Sequence, residues 1–230
     1  MKEPGPYLMP CLMRTRLNRR GFLTGLATAT AGVFLPIMVE AQASSIHDLR
    51  GDVRVNGKPI DKSAVIRAGD TVVTTSSGYV VFVVGQDAFM LRERGELRLE
   101  PNSSESRLVV GLRLVTGALG AVFGKRASGA AKIVAPTVTA GIRGTGVYLE
   151  TRGEGTYFCT CYGTVDLEAG ANNRDRETMT ATRHNNPRLI LGQPKDGQLF
   201  APAPFETHTD AEMDMLEKCV NRRAPWIAPR

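Results

Sequence analysis

Apolar and polar residues alternate in short runs along most of this chain, with a period of two rather than 3.6. Val53 and Val55 alternate with Asp52, Arg54 and Asn56, and Leu108, Val110, Leu112 and Leu114 share one face. Runs rich in β-branched and aromatic residues fall at 64–66, 71–74, 79–84, 89–92, 96–100, 133–134, 147–149, 156–162 and 165–167. Turn residues separate them: Asn56-Gly57, Gly69-Asp70, Ser76-Ser77-Gly78, Gly95 and Pro101-Asn102-Ser103-Ser104. Strands of this length and spacing predict a mainly β fold, an antiparallel sandwich or roll of short strands, over residues 44–169.

After Gly170 the pattern changes. Residues 171–177 are polar and read as a loop, 179–181 and 189–191 as two more short strands, and 201–204 (Ala-Pro-Ala-Pro) as a stiff connector. The spacing of Ala211, Met215, Leu216, Cys219 and Val220 predicts one C-terminal helix over 210–220, with Thr209 as N-cap and Glu212 completing a capping box. Residues 170–230 thus form an extension to the β domain. Phe200, Phe205, Trp226 and Ile227 supply apolar anchors that fold it back.

The first 43 residues are different again. Arg19-Arg20-Gly21-Phe22-Leu23 fits the twin-arginine export pattern, an uncharged stretch runs from Gly21 to Val39, and Ala41-Gln42-Ala43 is a small-x-small cleavage site. The expected product is a periplasmic protein cut after Ala43, touching the membrane only through its leader. Gly25, Gly32 and Pro36 weigh against an uncleaved anchor, and Met13 is an alternative start. The formal charge of +6 falls to +3 once the leader is removed, since 24 basic and 21 acidic residues follow Ala43. That excludes a nucleic-acid footprint.

Several motifs resemble the FecR-type (iron-dicitrate sensor-like) periplasmic domain. Gly51-Asp52-Val53, then Ile66, Gly69-Asp70, Val72, Thr74 and Gly78, look like its opening; Ala135-Pro136-Thr137 and Gly141-Ile142-Arg143-Gly144-Thr145 look like its closing signature. The resemblance implies a β-rich extracytoplasmic domain, which in the founding members relays a signal from an outer-membrane transporter to a sigma factor. At most 18 residues precede the apolar stretch of the leader, too few for a sigma-binding segment. What carries over is an interaction module whose partner is an envelope protein or glycan. Gly141 and Gly144 read as structural glycines, and Arg143 as an anion ligand or a tie between carbonyls.

Candidate chemistry lies elsewhere. Cys159 and Cys161 sit two apart in a predicted strand, so both sulfurs face one side. With His184 and His208 they make a two-sulfur, two-nitrogen set suited to zinc or copper, and His47 is a weaker further candidate. The alternatives are simple burial, or a disulfide from Cys219 to either cysteine. No P-loop, nucleophile elbow or dinucleotide motif is present. Asp87, Arg92, Glu93 and Arg94 read as a solvated strand edge. Two function classes follow: a non-enzymatic binding module, or a small metal-binding or thiol-redox protein.

Overall fold

The computed structural model describes residues 45–102, 105–125, 131–170 and 175–227. The export-signal residues Arg19, Arg20, Phe22, Leu23, Ala41 and Ala43 lie outside them. Among the described residues fifteen strands run β1 (Ile46–Arg50), β2 (Val53–Val55), β3 (Lys58–Pro59), β4 (Thr71–Thr74), β5 (Tyr79–Val84), β6 (Asp87–Leu91), β7 (Glu96–Asn102) and β8 (Glu105–Thr116). They continue β9 (Ala118–Val122), β10 (Ala131–Val134), β11 (Val138–Arg152), β12 (Gly155–Ala169), β13 (Asp175–Ala181), β14 (Arg188–Lys195) and β15 (Gln198–Pro202). One helix, α1 (Asp210–Cys219), follows.

The strands form one curled sheet in the order β1-β5-β6-β9-β11-β10-β8-β7-β4-β2-β3, with β12 on the other side of β11 and β13, β14 and β15 beyond it. The mainly β architecture is as expected, with two differences. The β8–β10 pair is parallel, so the sheet is mixed. And β11 and β12 are not short: each spans 15 residues. Their length lets one strand serve two neighbours end to end. On one edge of β11, residues near 140 pair with β10 and residues near 148 with β9. On the outer edge of β12, residues 163–169 pair with β13 and residues 155–158 with β14. The extension therefore continues the same sheet. The expected loop at 171–177 is strand from Asp175 onward, and the expected strand at 64–66 is irregular, although Ile66 is buried.

Two bulges kink the β11–β12 ladder where it changes neighbours. Val147 faces Thr160 while Gly146 faces Tyr162, leaving Cys161 as an extra residue on β12. Between Arg143 and Gly146 the surplus lies on β11, and there Gly144 adopts φ +57°. Gly144 thus has the structural role expected of it. Gly141 does not, because its φ is not positive and an added Cβ would meet nothing nearer than 3.8 Å. Arg143 does not tie carbonyls among the described residues; its exposed guanidinium pairs with Asp166 at 2.6 Å. Gly69 takes φ +98° in its turn, and the neighbouring Asp70 carboxylate accepts from the backbone of Arg67 and the side chain of Asn56. Thr145 is fully buried against the bulge. Asn56 and Gly57, at φ +51° and +78°, close the β2–β3 hairpin as their identities require.

The curl encloses a core that includes Phe82, Phe89, Leu91, Leu119, Val147, Leu149 and Phe158. A second apolar layer lies on the opposite face of the same strands: Val81, Ala88, Met90, Tyr148, Tyr157, Cys159 and Cys161, under Met213 and Leu216 of α1. This is why β5, β6 and β9 read as continuous apolar runs: both their faces are covered. Thr209 caps α1 with the expected capping box. Its inward face differs from expectation, because Met213, Leu216 and Glu217 are buried whereas Ala211 is exposed. Burying Met213 and Leu216 stabilises the docked helix by about 1.5–3 kcal/mol each, and Arg92 of the sheet reaches Glu212 at 2.5 Å. The supposed solvated edge is thus partly interior: Arg92 is tied to the helix, and Asp87 is fully buried with its carboxylate accepting from the backbone of Gly124.

Candidate metal centre

A polar cluster with metal-ligating side chains lies within the second apolar layer. Cys159 and Cys161 come from β12, His184 from the turn between β13 and β14, and His208 from the residue before the N-cap of α1. All four are buried, and their ligand atoms lie within 4.8 Å of one another. Cys159 Sγ stands 3.8 Å from His184 Nδ1, Cys161 Sγ 3.5 Å from His208 Nε2, and the two ring nitrogens 3.1 Å apart. Zinc at about 2.3 Å from sulfur and about 2.0–2.1 Å from nitrogen would, at tetrahedral angles, set S–N edges of about 3.6 Å and an N–N edge of about 3.3 Å. Three of the six edges already stand near those lengths, and every edge is within 4.8 Å.

Local sequence explains each placement. Cys159 and Cys161 share a face by strand alternation, and the bulge at Cys161 turns Tyr162 to that face as well. The carboxamide of Asn185 accepts from the backbones of Thr182 and Arg183, which folds the turn; His184, at φ +49°, then donates its backbone N–H to the Cys161 carbonyl. The Tyr157 hydroxyl donates to the Pro204 carbonyl and accepts from the Glu206 backbone, pinning the connector ahead of His208. His208 stacks on Tyr148 with ring centres 4.3 Å apart. Phe205 and Trp226 cover His184 at 4.4 and 5.3 Å.

The outer nitrogens decide what the inner ones can do. His208 Nδ1 lies 2.9 Å from the Glu206 carbonyl, which can only accept, so Nδ1 carries the proton. His184 Nε2 lies 2.9 Å from an oxygen of Asp210, whose pKa is lowered by Arg183 and then by His184, so this nitrogen also donates. The two inner nitrogens, His184 Nδ1 and His208 Nε2, are thereby aimed at each other across 3.1 Å beside the sulfurs, where neutral rings would offer both lone pairs to one shared cation. The two sulfurs differ. The Cys159 thiol is lowered to about 4, chiefly by the hydrogen bond from Cys161 and, against the cost of burial, by His184 and His208; burial pushes Cys161 up.

The four candidate ligands are brought together as the sequence suggested. His47 is exposed on β1 and stands outside the cluster. Cys159, Cys161 and Cys219 are all free thiols, so the alternative disulfide is not formed. Sequence reasoning missed the orienting pair, Asp210 and the Glu206 carbonyl. Their adjacency to His208 was the available signal. Comparison of the chain with protein-family models, with curated proteins and with solved structures found no match.

Proposed function

We propose that this chain is an exported, non-enzymatic β-domain protein built round a closed Cys2His2 zinc centre. The metal fastens the 170–230 extension to the sheet, and the stapled domain acts as a binding or interaction module in the cell envelope. The observation that carries the metal reading is the pair of imidazole nitrogens held 3.1 Å apart beside two buried sulfurs. Four protein ligands under an aromatic cover leave no open coordination position, which marks a structural site rather than a catalytic one. A tetrahedral set of two sulfurs and two nitrogens favours zinc, with copper(I) the next softest fit. The envelope reading rests on the twin-arginine leader and on the FecR-like motifs of the β domain.

The experiment is metal analysis of the purified mature protein with a thiol titration. One zinc per chain is expected, with Cys159 and Cys161 shielded from a thiol reagent until a chelator is added and Cys219 reacting independently of the chelator. Cys161→Ser and His208→Ala should each abolish stoichiometric metal. A protein that binds no zinc or copper after reconstitution, and whose melting temperature ignores chelators, refutes the centre.

A further inference from the structure

A cavity of about 670 Å³ opens between the kinked middles of β11 and β12 and the C-terminal tail. Its apolar walls are Phe123, Tyr162, Pro225 and Trp226. Lys125, Arg183, Arg222 and Arg223 stand around these walls, against one carboxylate among the described residues, Glu217. That carboxylate is fully engaged: one oxygen accepts from the Tyr162 hydroxyl and the other from Arg222 Nε at 2.6 Å. Lys125 and Arg223 are exposed and make no ion pair among the described residues. Arg183 extends over the Trp226 ring, 5.9 Å from its centre.

The walls are fixed before any ligand arrives. Tyr162 and Trp226 meet edge to face at 5.7 Å, and Arg222 Nη1 donates to the Gln86 carbonyl at 2.9 Å. Two buried donors in these wall residues have no partner, Nη2 of Arg222 and Nε1 of Trp226. Buried donors are normally satisfied, and with less than 1 Å² of surface each these two lie within the wall rather than on it.

We propose that this cavity is a binding site for a small organic anion, a carboxylate carried on an aromatic or similarly apolar body. The volume lies in the range of small-molecule sites. The apolar body packs among Phe123, Tyr162 and Trp226, and the carboxylate takes the excess positive charge of Lys125 and Arg223. The inference goes beyond the metal reading and does not need it.

Trp226 is the single tryptophan of the chain, so its emission reports the cavity directly. The purified protein is titrated with 4-phenylbutyrate, with the neutral 4-phenyl-1-butanol and with inorganic phosphate, and its zinc content is measured in the same sample. The expected result is a saturable change with the carboxylate at an affinity at least tenfold above either comparison compound. Lys125→Met and Arg223→Met, both exposed, should each weaken 4-phenylbutyrate several-fold while leaving the melting temperature unchanged. No saturable response overturns the proposal. So does equal binding of the alcohol, which would mean an apolar sink, or of phosphate, which would mean a bare anion site. Wild-type affinity in both variants also overturns it. A protein without zinc that still prefers the carboxylate would sink the metal reading alone.

Discussion

Asp210→Ala is the sharpest perturbation of the metal centre, because the residue has three separable roles. It accepts the Nε2–H of His184 at 2.9 Å, pairs with Arg183, and sits in the first turn of α1. The Arg183 partner is 60% exposed, so solvent screens that pair and it contributes little. The negative charge at the helix N-terminus adds about 0.3–1 kcal/mol. Both terms act with or without metal. For a domain of this size they lower the melting temperature of the metal-free protein by about 2–4 °C per kcal/mol lost. Orientation of His184 is different, since it acts on the metal. Loss of such an outer partner typically weakens metal binding about 10–100-fold, or about 1.4–2.7 kcal/mol. Zinc affinity is measured by competition with a chromophoric chelator, and melts are recorded with and without metal. Asp210→Ala should lose more stability in the zinc form than in the metal-free form. Arg183→Ala, which removes the ion pair but keeps the acceptor, should reproduce only the metal-free loss. Equal zinc affinity for Asp210→Ala and the parent protein would refute the argument from tautomers.

Chelation of the metal should lower the melting temperature of the parent protein but not that of His208→Ala, as read by differential scanning calorimetry. Gly144→Ala should cost about 1 kcal/mol or more because Gly144 holds φ +57° at the bulge, whereas Gly141→Ala should be near neutral; matched denaturant melts compare them. Replacing Arg19 and Arg20 together by lysine should hold the precursor in the cytoplasm, checked by cell fractionation, and normal export of that variant would count against the leader.

Much of this protein is written locally. The period of two, the Asn56-Gly57 turn and the Thr209–Glu212 capping box depend on neighbours a few residues apart, and all three are as the chain alone implies. The same is true of Cys159 and Cys161 sharing a face, since strand geometry alone dictates it. The four candidate ligands could be named because buried cysteines and histidines are few in a chain with three histidines and four cysteines.

What stayed illegible depends on distant partners. Asp87 and Arg92 look like a solvated edge because strand spacing cannot reveal that Gly124 and a helix 120 residues away cover them. The helix buries Met213 and Glu217 rather than Ala211, because the sheet, and not its own apolar spacing, decided which side faces inward. The register of β11 on β12 decided that Gly144 needs positive φ and Gly141 does not. The metal centre follows the same division. Residue types are a property of the sequence. Which nitrogen of His184 and His208 faces the sulfurs was set by Asp210 and by a backbone carbonyl, through contacts that exist only once segments 24 to 47 residues apart have packed together. Alternation and capping are fixed by bond geometry over a few residues; lone-pair direction is fixed by packing, and packing belongs to the whole fold.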